Sequence, residues 1–223
     1  MHPPHNDTRA AILSALVPGL GQLIQRRPWA ALAACAGTLL LVGSSAWSGR
    51  VADRAVEILV FMVLALPAWA IQCYDAYLGP SPAAPAFTRT WTAVWTRGHD
   101  VRFLGALLLI SALNDTWIIL RNLDYLLPFY CTKLTGIPGF LSKALSPALH
   151  LAVGYGFLRL RRWSLLVYLV YAAYGATNGM VNLTCFGPGR IRNTLLAAIV
   201  LSTLYILWRR RMLLDAPRQR FDT

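Results

Sequence analysis

The chain is short of charge. Of its 223 residues only 13% are charged and nine are acidic, against roughly a quarter charged in a soluble domain. The shortfall is concentrated in apolar runs of about 18 to 25 residues, the length that crosses hydrocarbon as a helix. This argues against a soluble fold and for a polytopic membrane protein.

Other absences narrow the chemistry. The four cysteines form no Cys-x-x-Cys, so a thiol-redox motif is lacking. Pro18-Gly19-Leu20-Gly21 has no Lys-Ser or Lys-Thr behind it and follows no strand, so it is not a phosphate loop. No second His or Cys stands at a metal-ligand spacing from His150 in its helix. Residues 1–9 are polar and weakly basic, and no Ala-x-Ala site follows residues 10–17, so no cleaved signal peptide is expected. Arg26-Arg27 ahead of Leu32-Ala33-Ala34-Cys35 has the form of a twin-arginine and lipobox pairing. The apolar run between them is too short for that role, and Cys35 is read as a packing residue. Neither a metal nor another cofactor is expected.

What is present is basic. The net charge is +12, and the Lys and Arg residues stand at the ends of apolar runs, which suits membrane orientation better than nucleic-acid binding. The expected partner is therefore the lipid bilayer and not nucleic acid. Arg159, Arg161 and Arg162 make a short turn between two apolar runs and mark the cytoplasmic face; Arg209, Arg210 and Arg211 stop the last run on the same side. Counted outward from that turn, and leaving Arg9 aside, thirteen basic residues fall inside and seven outside.

These patterns predict an all-α protein with about six transmembrane helices and an N-terminal broken or re-entrant segment. The segment is 10–25, interrupted at Pro18-Gly19. The spans are 28–47, 54–78 with a kink at Pro67, 102–120, 140–158, 163–181 and 191–208. As domains, 1–78 is the broken segment with a two-helix hairpin, 79–101 a cytoplasmic linker, 102–211 a four-helix bundle and 212–223 a cytoplasmic tail. Trp91 and Trp95, with Arg89 and Arg97, suggest a short amphipathic helix on the inner leaflet or packed against the protein. Both termini are expected in the cytoplasm of a bacterium, with the protein in its inner membrane.

Two partial resemblances follow. The run 13–22, which contains Pro18-Gly19-Leu20-Gly21-Gln22, with Trp69 and Tyr74-Asp75-Ala76-Tyr77 closing the next hairpin, resembles bacterial TM2-like small membrane proteins. These open with a PGLGQ-type turn and close their second helix with an Asp-Ala pair. The stretch 154–163, Gly154-Tyr155-Gly156 followed by the arginine turn and Trp163, is similar to uncharacterised four-helix bacterial membrane proteins. Neither resemblance implies an activity.

A carboxylate at membrane depth is a candidate for function by default, because it costs about 2.5 to 3.5 kcal/mol to insert. Asn114 and Asp115 lie in the outer part of the third span, and Arg121, Lys143 or His150 could partner the acid. An ion or proton role, a structural pair and exposure at the interface all stand open. Tyr168, Tyr171 and Tyr174 line one helix face, with Asn178 a turn further, and that face is expected to point into the bundle toward Asp115 or His150. Asp75 can meet Arg26 or Arg27, and Glu57 is read as an anchor. Cys131 and Cys185 fall in external loops, where disulfides persist, and are expected to be bonded. Cys35 and Cys73 are expected to stay reduced. Thin loops and sparse polar groups favour a non-enzymatic accessory or scaffold subunit, packing with other membrane proteins or as a homo-oligomer through small residues of the first hairpin. The alternatives are a transporter or channel using Asn114, Asp115, His150 and Asn178, and a membrane-embedded lipid or quinone enzyme.

Overall fold

The computed structural model describes residues 6–80 and 86–215. The Pro-rich start of the expected linker beyond Pro80, and the tail with Arg218 and Arg220, lie outside the described residues. The described chain is helical apart from its turns and one two-stranded hairpin, and it forms two compact units that divide between Arg97 and Gly98.

In the first unit, Asp7 caps α1 (Thr8–Leu16) by accepting Ala10 N–H at 2.9 Å. The helix stops before Pro18, as expected, and restarts as α2 (Leu20–Ile24). Two glycines make this break possible. Gly19 has φ +87°, and a Cβ there would meet Ala31 O at 2.4 Å; a Cβ on Gly21 would meet Ala10 O at 2.1 Å. Pro28 opens α3 (Pro28–Val51), which buries Ala31, Thr38 and Ser45, one residue every two turns. Asp53 caps α4 (Arg54–Val60) through Ala55 and Val56 N–H. A π-helical turn (Phe61–Ala65) joins it to α5 (Leu66–Leu78) without interruption. Pro67 accounts for the wide turn: it lacks an N–H and its ring crowds the carbonyl four residues back. The amphipathic helix, α6 (Ala86–Arg97), belongs to this unit and packs on α5, with Thr90 and Val94 buried.

The second unit holds α7 (His99–Arg121), a hairpin of β1 (Pro128–Phe129) and β2 (Thr132–Lys133), α8 (Gly136–Leu158), α9 (Trp163–Phe186) and α10 (Arg190–Leu214). The Gly-x-Gly ahead of the arginine turn serves two different neighbours. A Cβ on Gly154 would meet Leu109 and Gly105 O at 2.8 and 2.9 Å, so α7 and α8 touch backbone to backbone. A Cβ on Gly156 would meet Ser164 Cβ at 2.2 Å, which brings the start of α9 against α8. Val153 and Phe157 before the turn, with Tyr168, Ile199 and Ile206 after it, close the core.

Four described helices are long and apolar enough to cross a membrane: Pro28–Val51, Arg54–Leu78, His99–Arg121 and Trp163–Phe186. Only 11–28% of the residues in their apolar windows are buried inside the protein. The other two expected spans, α8 and α10, match them in length at 23 and 25 residues. α8 is not apolar enough to join that set, because Lys143 and His150 dilute it.

Candidate functional site

The second unit gathers its polar side chains at helix contacts. The close Gly105–Gly154 approach sets α7 against α8 and brings Asp115 to His150, with Oδ2 3.2 Å from Nδ1. That distance suits an ion pair but lacks hydrogen-bond alignment, and among the described residues Nδ1 has no hydrogen-bond partner. The other ring nitrogen is held: Nε2 lies 2.8 Å from Tyr171 Oη. The His150 side chain is only 9% exposed, whereas Asp115 is 30% exposed and opens the pair to the surroundings. Of the three partners considered for the acid, the structure selects the histidine.

The tyrosine face of α9 does point inward. Tyr168 Oη donates to Ser202 Oγ at 2.9 Å and lies 3.1 Å from Thr203 Oγ1, both on α10. Tyr168 and Tyr171 sit one turn apart with ring centroids at 6.2 Å. Toward the other end of α7, Asp100 accepts from Tyr205 Oη at 2.7 Å and from Arg209 Nε and Nη2 at 2.6 and 3.0 Å. The sequence reading missed this group, taking Arg209 only as an orientation signal. Its trace was present: an acid opening a span, and Tyr205 and Arg209 four residues apart on one helix face.

The remaining candidates lie elsewhere. Asn114 is exposed on the outer face of α7, apart from His150. Lys143 is buried, and its Nζ donates to the Leu123 and Tyr125 carbonyls at 2.6 and 2.9 Å, tying down the chain after α7. Asn178 serves the hairpin, its Oδ1 accepting from Tyr130 N–H at 2.8 Å and from Asn182 Nδ2 at 3.1 Å. Asn182 in turn accepts from Cys131 N–H and donates to Pro128 O. This clamp offsets a strained turn, since Tyr130 and Cys131 both have left-handed φ, 43° and 66°, a conformation costing a non-glycine residue about 1–2 kcal/mol. A disulfide joins Cys131 to Cys185 at the end of α9. Cys35 and Cys73 are free thiols. At the opposite end of the bundle, the Arg159–Arg162 turn is closed by Arg161 N–H donating to Gly156 O at 2.8 Å, with Leu160 left-handed at φ 48°.

The first unit has its own polar cluster around the PGLGQ turn. Gln22 is buried; its Oε1 accepts from Ser14 Oγ at 2.9 Å and its Nε2 donates to Gln72 O at 2.8 Å. Ser14 Oγ accepts from Gly21 N–H, and the Gln72 amide bridges Gly19 N–H to Ser14 O. Asp75 pairs with Arg27 at 2.8 Å and accepts from Thr90 Oγ1 at 2.9 Å. No group of three or more His, Cys, Asp or Glu residues placed to hold a metal occurs among the described residues. Comparison with protein-family models, with curated proteins and with solved structures finds no match to this chain.

Proposed function

We propose that this is a six-span protein of a bacterial inner membrane, with both termini cytoplasmic, acting as a non-enzymatic accessory or scaffold subunit. Its partner is another membrane protein or a second copy of the chain, received on the outward face of α3. The observation that carries this reading is the openness of that face: a Cβ on Gly37 or Gly43 would meet nothing within 4 Å, and Ala33 and Ala36 beside them are exposed. Small residues let a second helix backbone approach closely in lipid, where packing replaces the hydrophobic effect as the driving force.

Two further features support the topology. The polar groups that dilute α8 are turned to protein partners, Lys143 to carbonyls and His150 to Asp115 and Tyr171, so the helix can cross without facing them to lipid. The Cys131–Cys185 disulfide lies at the opposite end of α9 from the Arg159–Arg162 turn, which matches an oxidising exterior and a basic interior.

Extraction of the full chain in mild detergent tests the subunit reading. A stoichiometric partner or a homo-oligomer is expected, lost in Gly37→Leu/Gly43→Leu while the chain itself stays monodisperse. A monomer without a partner, unchanged by the double substitution, would overturn it. Labelling of the arginine turn by an impermeant reagent in intact cells would invert the topology.

A further inference from the structure

One set of polar side chains in the second unit, with buried His150 among them, lies at the contacts of α7, α8, α9 and α10 between the two acids of α7. Asp115 and Asp100 are fifteen residues apart on α7, a rise of about 22 Å against a hydrocarbon core of about 30 Å. Between those depths lie His150 and Tyr171, then Tyr168 with Ser202, then Tyr205 on Asp100. We propose that these groups form a proton route through the unit, from Asp115 by way of His150, Tyr171, Tyr168 and Ser202 to Tyr205 and Asp100. The proposal concerns the second unit alone and is independent of packing through α3.

The chemistry of the set is selective. Each intermediate is an imidazole or a hydroxyl, which can accept a proton on one side and release one on the other. The ionisable and charged groups that face the line are Asp115 and Asp100 from α7, His150 from α8, Tyr168 and Tyr171 from α9, and Tyr205 and Arg209 from α10. The cation, Arg209, sits at the terminus where it balances Asp100, and Lys143 is directed away to the Leu123 and Tyr125 carbonyls. A fixed positive charge in mid-route would repel the moving proton; here both carboxylates stand at the ends.

His150 is the decisive member. A buried imidazole kept only for packing would have both nitrogens satisfied. Here Nδ1 is enclosed and lacks a hydrogen-bond partner, yet it lies 3.2 Å from the partly exposed Asp115 carboxylate. In the proposed step, a proton on Asp115 passes to Nδ1 while the proton on Nε2 passes to the Tyr171 oxygen, whose own hydroxyl proton moves on toward Tyr168. One proton enters, one leaves, and only N–H and O–H bonds form and break. Two relays, Tyr171 to Tyr168 and Ser202 to Tyr205, join residues three apart on one helix. Side chains at that spacing start from Cβ atoms about 5–6 Å apart, a gap that one bridging water closes.

The test uses the purified full chain in phosphatidylethanolamine and phosphatidylglycerol vesicles enclosing a pH-sensitive dye, with a potassium diffusion potential imposed by valinomycin. Proton uptake should exceed that of protein-free vesicles. It should fall about a hundredfold in His150→Phe and in Tyr171→Phe, the low end of what a positioned proton-transfer group contributes. Tyr174→Phe, on the same helix outside the route, should conduct as the unaltered protein does. Tyr171→Phe removes one oxygen, and formation of the Cys131–Cys185 bond in each variant reports that the unit has folded. Uptake no faster than in empty vesicles, or uptake that survives both His150→Phe and Tyr171→Phe in folded protein, would overturn the route.

Discussion

Gln22 in the first unit and His150 in the second are both buried polar side chains at a contact between helices, and they are supplied differently. Gln22 has its oxygen on Ser14 and its nitrogen on the Gln72 carbonyl, with the Asp75 carboxylate at 3.4 Å beyond. His150 has one nitrogen held and the other close to a carboxylate without a hydrogen bond. A satisfied network in a low-dielectric interior rigidifies and specifies a structure, whereas a half-satisfied one costs stability. The first cluster therefore explains itself as architecture: it fixes a broken helix against a hairpin. The second does not, and its cost is what motivates a functional reading.

Substitutions can break or sharpen that contrast. The largest effect is expected for Gly21→Leu, whose Cβ would be driven into the Ala10 carbonyl; a loss of about 3 kcal/mol or more follows from such overpacking. Thermal unfolding in detergent should show it as a collapse of the first transition, and an unchanged midpoint would mean that α1 and α2 do not meet this way. Gln22→Leu leaves Ser14 and the Gln72 carbonyl without this partner, and should cost about 2–3 kcal/mol by the desolvation of the groups left behind.

Removing the disulfide with Cys131→Ser/Cys185→Ser should cost about 2 kcal/mol, the low end for a native cross-link, because Asn178 and Asn182 still hold the hairpin. Protease nicking near Tyr130 is the sensitive readout. The smallest effect on stability is expected for His150→Phe, about 1 kcal/mol, since a phenyl ring fills the place of the imidazole, Asp115 retains access to its surroundings and one group, the Tyr171 hydroxyl, loses its partner. If His150→Phe proved as costly as Gln22→Leu, the two clusters would be alike and the second would be structural as well.

Much of the architecture was legible because lipid imposes simple rules. The break at Pro18-Gly19, the membrane-length helices and the inward tyrosines follow from local spacing, and the Asp75–Arg27 pair follows from the antiparallel course of one hairpin. The pairing of side chains distant in sequence was less legible. Hydropathy cannot reveal that Gln22 meets Gln72 or that Asp100 meets Arg209, because those contacts depend on which helices adjoin. Lys143 was weighed as a partner for Asp115, but its long stem carries the amine to the carbonyls after α7. Asn178 was grouped with the transport candidates by its helical spacing from the tyrosines. It is diverted by a turn of two left-handed residues that no composition signal marks, since neither Tyr130 nor Cys131 is a glycine. The stretch 79–101 reads as a linker with a short amphipathic helix around Trp91 and Trp95, on the leaflet or packed against the protein; that helix is α6, and Thr90, which reaches Asp75, holds it on the hairpin.

The wide turn at Phe61–Ala65 has a consequence for everything after it. A π-helical turn holds one residue more than an α-helical one, so the remainder of the helix is rotated by about 100° relative to an uninterrupted path. Gln72 and Asp75 both lie downstream. Excising a single residue such as Val63 would let the helix run regularly and swing these two side chains sideways, off Gly19 and Arg27 and toward lipid. Angular phase set beside Pro67 thus decides whether the glutamine and the acid have anything to hold.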